Sequence, residues 1–209
     1  VVMQGDGFSD LLIAQTHPSS PALYLHDHLG NLIYQFPLAA MNWHLTSLAK
    51  MGDMDGDGGD DFLMGCSESS GRGVLVLVSG RTGTVLRTTY GLQPGDRLHH
   101  LATNLGDITG DGVNDFAAFA WWSAQRSICV AFSGATGAPL RQWLLSTDSV
   151  VGGHDLDLDG VPDLVVAGAF PVAGTQVYGI TYAFSGRDGA ELWRVENFPG
   201  SGIFGTQWG

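Results

Sequence analysis

Gly52-Asp53-Met54-Asp55-Gly56-Asp57-Gly58-Gly59-Asp60-Asp61-Phe62-Leu63 decides how this chain is read, because the chain repeats it. Gly106-Asp107-Ile108-Thr109-Gly110-Asp111-Gly112-Val113-Asn114-Asp115-Phe116-Ala117 aligns with it without a gap. So does His154-Asp155-Leu156-Asp157-Leu158-Asp159-Gly160-Val161-Pro162-Asp163-Leu164-Val165. A decayed copy, Gln4-Gly5-Asp6-Gly7-Phe8-Ser9-Asp10-Leu11-Leu12, stands near the start. The last aspartates fall at 10, 61, 115 and 163, giving spacings of 51, 54 and 48 residues. A period of that size marks a repeat architecture.

A second marker recurs in step with the first. Ser79-Gly80-Arg81-Thr82-Gly83, Ser133-Gly134-Ala135-Thr136-Gly137 and Ser185-Gly186-Arg187-Asp188-Gly189 share one pattern, with His26-Asp27-His28-Leu29-Gly30 as its divergent form. Each follows an apolar run, such as Val74–Val78 or Ile128–Phe132, and precedes another strand-like run. A short polar turn closed by Gly between two such runs is a hairpin. One unit therefore reads strand, Asp-rich loop, strand, variable loop, strand, Gly turn, strand. Four strands in about 50 residues, repeated, predict an all-β fold, a β-propeller of four-stranded antiparallel blades. No segment sustains a 3.6-residue period, so helices are expected to be nearly absent. Residues 1–209 are expected to form a single propeller domain of four repeats.

The loops carry the chemistry. Asp at positions 1, 3, 5 and 9 of a tight loop, with Gly at 6, lets carboxylates converge on a hard cation that wants six to eight oxygens. The candidates are Asp53, Asp55, Asp57 and Asp61, with the Gly59 carbonyl; and Asp155, Asp157, Asp159 and Asp163, with the Val161 carbonyl. In the middle copy they are Asp107, Thr109, Asp111 and Asp115, with the Val113 carbonyl. The opening loop retains Asp6 and Asp10 but has Val2 and Gln4 at positions 1 and 3. An EF-hand begins alike but needs an acid at position 12. Here Met64, Ala118 and Val166 stand there, which removes that reading. About three Ca²⁺ ions are expected, with a weak fourth at the opening loop. Carboxylates packed this closely repel one another unless a cation neutralises them.

These repeats resemble FG-GAP repeats, the calcium-loop blades of integrin α-subunit propellers and of many bacterial secreted proteins. Phe204-Gly205 matches the FG half, and Ala167-Gly168-Ala169-Phe170-Pro171 approximates the GAP half. The resemblance implies a secreted or cell-surface setting, with a signal peptide outside this sequence. It also implies a role in adhesion or in binding a protein or glycan ligand. The family usually closes rings of about seven blades, and this chain supplies four repeats. The segment 203–209 resembles a first strand of a blade, so it could complete the opening blade and close a ring. A slice of a larger propeller and self-association with another copy are the other readings.

Composition narrows the classes further. Acids outnumber Lys and Arg by 21 to 9, a formal charge of −12, which argues against nucleic acid or an anionic membrane as partner. Three Ca²⁺ would halve that charge. Gly contributes 31 of 209 residues, as a turn-rich β chain requires. No apolar run is long enough to cross a membrane as a helix. Cys66 and Cys129 read as buried small apolar residues rather than a disulfide. The scattered His residues, including His99 and His100, lack metal spacing, and no nucleophile elbow, phosphate loop or zincin motif occurs. A binding module rather than an enzyme is therefore expected. A polysaccharide-active lyase or hydrolase, and a purely structural scaffold, are the alternatives. In this strand order the calcium loops and Gly turns share one end of each blade. Trp121 and Trp122, placed at the start of a loop, would sit with Asp96 and Arg97 at the other end, as the candidate ligand-binding residues.

Overall fold

A computed structural model describes residues 2–3, 5–15, 21–68, 70–91, 97–123, 126–145, 149–172 and 176–196. Fifteen strands and one helical turn occur among them. The opening blade is a three-stranded sheet of β1 (Leu11–Gln15), β2 (Ala22–His26) and β3 (Leu32–Phe36). The second is β4 (Trp43–Gly52), β5 (Asp61–Glu68), β6 (Gly73–Val78) and β7 (Val85–Tyr90). The third is β8 (Arg97–Gly106), β9 (Asp115–Ser123), β10 (Arg126–Phe132) and β11 (Pro139–Leu144). The fourth is β12 (Ser149–His154), β13 (Asp163–Val172), β14 (Gln176–Phe184) and β15 (Glu191–Glu196). Every sheet is an antiparallel meander in chain order, so this is an all-β propeller chain of four blades.

The helical turn α1 (Leu38–Met41) buries Leu38 and stops at Asn42, whose φ of 59° is left-handed. Asn tolerates that region better than most residues. The segment 203–209, which could complete the opening blade, lies outside the described residues.

Connection lengths sort by end. The loops between the first two strands of the second, third and fourth blades are all eight residues, and the Gly turns are all six. The links from second to third strand hold four, two and three residues. One end of the blade is fixed and the other varies.

Two compact units divide the chain, Val1–Ala102 and Thr103–Gly209, with the boundary inside β8. In the first, alternate residues of β5 (Phe62, Met64, Cys66) and β6 (Val74, Val76, Val78) face Leu23 and Leu25 of β2. Period-2 alternation puts the β5 and β6 residues on one face of their sheet, and Leu23 and Leu25 on one face of theirs. In the second, Ala117 and Phe119 of β9 with Cys129 and Ala131 of β10 meet Leu164 and Val166 of β13 and Phe184 of β14. Both cysteines are free and buried, and burial pushes the Cys66 thiol up to about 12.

Within each unit, the last strand of one blade also hooks the Gly turn of the next. In the first unit, Tyr34 on β3 donates its hydroxyl to the Gly80 carbonyl at 3.1 Å. In the second, Arg141 on β11 donates to the Gly186 carbonyl at 2.7 Å, and Trp143 Nε1 to the Gly189 carbonyl at 3.1 Å. These hydrogen bonds satisfy turn carbonyls that no sheet ladder reaches.

Candidate metal centres

Each loop is organised from its first aspartate. Asp53 accepts the N–H groups of Gly56, Asp57 and Gly58 at 2.8, 3.1 and 3.0 Å. Asp107 accepts those of Gly110, Asp111 and Gly112 at 2.7, 3.1 and 2.8 Å. Asp155 accepts from Asp159 and Gly160 at 3.1 and 2.8 Å. A carboxylate gathering consecutive N–H groups closes the chain into a tight turn. Position 6 then needs φ near +86°, which Gly58, Gly112 and Gly160 adopt without a Cβ penalty. Position 5 also holds the backbone: Asp57, Asp111 and Asp159 each accept the N–H of position 7, from Gly59, Val113 and Val161, at 2.8–2.9 Å.

The ninth position does something that spacing alone does not reveal. Asp61 takes the Met54 N–H at 2.7 Å with one oxygen and the Gly80 N–H at 2.9 Å with the other. Asp115 takes Ile108 and Thr109, both at 3.0 Å, and Gly134 at 2.8 Å. Asp163 takes Leu156 at 2.6 Å and Gly186 at 2.9 Å. All three are buried. One carboxylate therefore ties the Asp-rich loop to the Gly turn, which is why the two markers recur in phase. The first glycine of the turn, its second residue, is the donor in every case.

Carboxylates converge in two loops. Asp53, Asp55 and Asp57 each bring an oxygen to within 4.8 Å of the others, and so do Asp155, Asp157 and Asp163. An all-oxygen set of three charged donors fits a hard cation such as calcium. Asp159, expected among the ligands, is turned instead to Arg187 at 2.5 Å. Asp107, Asp111 and Asp115 do not form such a group among the described residues; Thr109 stands at the third position and donates weakly to Asp107 at 3.4 Å. In the opening loop Asp6 accepts the Phe8 N–H and Asp10 the Met3 N–H, and neither belongs to a three-carboxylate group among the described residues.

Electrostatics follow the crowding. Burial lifts Asp61 to about 6, with repulsion from Asp55 and Asp57 adding to it against the Gly80 and Met54 N–H groups. Burial also raises Asp115. Asp157 is raised by partial desolvation and then by Asp159, Asp163 and Asp155. Asp159 is held low by the Val161 N–H and by Arg187. Lys50 at 2.8 Å holds Asp60 low against its own desolvation.

The chain is 32% identical over 175 residues to integrin alpha-5 of Xenopus laevis, a match spanning 70% of this chain and 16% of that protein. Over 147 residues it is 30% identical to integrin alpha-PS2 of Drosophila melanogaster, covering 54% of this chain and 10% of that one. The chain is built of FG-GAP-type propeller blades. No protein-family model matches it. The fold of these FG-GAP blades is shared with the Dos1 propeller (TM-score 0.53, 14% identity, 90% of this chain and 44% of that one). It is shared too with the quinohemoprotein alcohol dehydrogenase ADHIIG of Pseudomonas putida HK5 (TM-score 0.55, 11% identity, 92% of this chain and 33% of that one).

At the other end of the FG-GAP blades one expectation is corrected. Trp121 and Trp122 do not open a loop; they lie within β9, where Trp121 pairs with Ser127 of β10. No Gly or Pro follows them to stop the strand, so the ladder continues. Asp96 lies outside the described residues, as do the side chains of Arg97, Trp121 and Trp122.

Proposed function

We propose that this chain is a calcium-binding propeller module of a secreted or cell-surface protein, serving adhesion or the binding of a protein or glycan ligand. The observation that carries the calcium reading is the pair of three-carboxylate groups, each built on an eight-residue loop pre-folded by its own aspartates, with Asp163 joining the second group from the first position of β13. The FG-GAP blades and the integrin relatives support the adhesive or ligand-binding role. Among the described residues no helix is long and apolar enough to cross a membrane. Asp53, Asp55 and Asp57 would hold one ion and Asp155, Asp157 and Asp163 another. Such an ion would offset the repulsion among them, and the backbone N–H groups would orient the oxygens.

Calcium in tenfold excess over Kd is expected to add about 1.4 kcal/mol for each filled loop. For a chain of this size that raises Tm by roughly 3–6 °C per loop, and EDTA should reverse it. Asp57→Ala should remove one bound ion in calorimetric titration, and Asp6→Ala should remove none. A melt that ignores verified metal removal would sink the calcium reading.

Acidity gives a second expected result. Folded Asp61 holds its proton more tightly than the unfolded chain does, because its value is raised from 3.8 to about 6. Its contribution is full below pH 3.8 and is lost as pH climbs through 6. Asp115 and Asp157 act in the same direction. Asp60, Asp107 and Asp159, held low, lose their contributions only as pH falls below 3.8. In EDTA the urea midpoint should therefore fall between pH 4.5 and 7. Saturating calcium, which binds the ionised form, should reverse that slope. A midpoint rising over this range in EDTA would contradict the burial of Asp61.

A further inference from the structure

The Gly turns differ at one position. The second and fourth blades carry Ser-Gly-Arg, with Arg81 and Arg187, whereas the third carries Ser-Gly-Ala, with Ala135. The two arginines reach the fifth position of the neighbouring loop but end on different atoms. Arg81 donates Nη1 to the backbone carbonyl of Asp57 at 2.5 Å, and the Asp57 carboxylate remains grouped with Asp53 and Asp55. Arg187 donates Nε to the carboxylate of Asp159 at 2.5 Å and Nη2 to the carbonyl of the same residue. The three-carboxylate group of that loop is then Asp155, Asp157 and Asp163, with Asp159 held outside it.

Resting on the calcium reading above, we infer that Arg187 is a built-in competitor for calcium that weakens the 155–163 loop, so that the 53–61 loop fills first. Two effects combine. Asp159 must leave a guanidinium that grips it at two points before it can serve as a ligand, and that two-point grip is what a planar fork does best. The fixed positive charge also stands beside Asp155 and Asp157 and opposes an incoming dication; Arg81 brings a like charge to its own loop, so the grip on the carboxylate is what sets the two loops apart. Arg81 makes no such claim on its loop, because a carbonyl can accept from arginine while the carboxylate of the same residue stays available. The side chain of Arg187 is about half exposed, so the effect is bounded by what exposed ion pairs contribute, roughly three- to fivefold in affinity. The fourth blade would thus answer to calcium at higher concentrations than the second.

Calorimetric titration of the full chain with calcium chloride tests this, the 155–163 site being identified as the one lost in Asp157→Ala. Arg187→Gln should tighten that site about three- to fivefold, leave the 53–61 site unchanged, and reduce the dependence of the difference on sodium chloride. Arg187→Lys, which keeps the charge but not the fork, should fall between. A second readout does not depend on the variants folding equally well. In ¹⁵N spectra of the unmodified protein, the Arg187 Nε–H should be protected from exchange in EDTA and lose that protection as calcium is added. Equal affinities in wild type and Arg187→Gln, or a weaker site in the variant, would overturn this inference while leaving the calcium reading intact. An Nε–H signal indifferent to calcium would do the same. Absence of calcium heat at both loops in every protein would overturn the calcium reading, and this inference with it.

Discussion

Gly186→Ala is expected to cost more than about 3 kcal/mol of unfolding free energy, the range of forced overpacking at a site that cannot relax. A Cβ there would lie 1.7 Å from the Pro162 carbonyl oxygen and 3.1 Å from the Ile108 side chain. The first neighbour is backbone and cannot swing aside. Gly186 is moreover pinned from two directions, its N–H to Asp163 at 2.9 Å and its carbonyl to Arg141 at 2.7 Å. Any shift that makes room breaks one of these. Gly112→Ala is the control: its Cβ would meet nothing within 4 Å, so only the φ of +87° is penalised. Urea denaturation of both variants should separate them clearly. Equal losses would mean that the approach of Pro162 to the turn is softer than the geometry indicates.

Asp115→Ala should be nearly as damaging, at about 3–5 kcal/mol measured in EDTA so that metal plays no part. Its carboxylate is fully buried and satisfies the N–H groups of Ile108, Thr109 and Gly134. Alanine leaves those donors without a partner and unties the loop from the turn at once. Buried unpaired donors are costly, and bonds to a charged acceptor are the stronger kind. Asp115→Asn retains one acceptor oxygen and should lose about half as much. The reference is Asp6→Ala, which gives up an exposed N–H from Phe8. A loss at Asp115 no larger than at Asp6 would show that the tie is ornamental.

Much of this architecture can be read from the sequence because Asp and Gly punctuate it. β5, β9 and β13 begin on Asp61, Asp115 and Asp163, where the alignment of the repeats places them. The double duty of those residues is not legible, since each reaches a glycine 19 or 23 positions away and no local spacing encodes that. The in-phase second marker was its only trace. Likewise, counting acids puts Asp159 among the metal ligands, whereas its contact depends on how far the Arg187 side chain reaches across the blade. The 107–115 loop keeps its turn but not its cluster, because turn formation needs only Asp107 and its N–H donors, while convergence needs the third-position acid that Thr109 replaces. The four-residue α1 is too short to display a helical period, and the tryptophan pair mimics a loop start only when the ladder beyond it is unseen.

The unequal ends of the blade have an evolutionary consequence. Where a single buried aspartate binds loop to turn, an inserted or deleted residue would displace the carboxylate from its donors, so that end of each unit should resist changes in length. The opposite connections already run to four, two and three residues, so length there varies from blade to blade while the tied end keeps its length. Each of the second, third and fourth repeats is thus a cassette with one locked edge and one editable edge. Lineages, or engineers splicing in recognition peptides, can rewrite the editable edge while the fold and its Asp-rich loops are inherited intact.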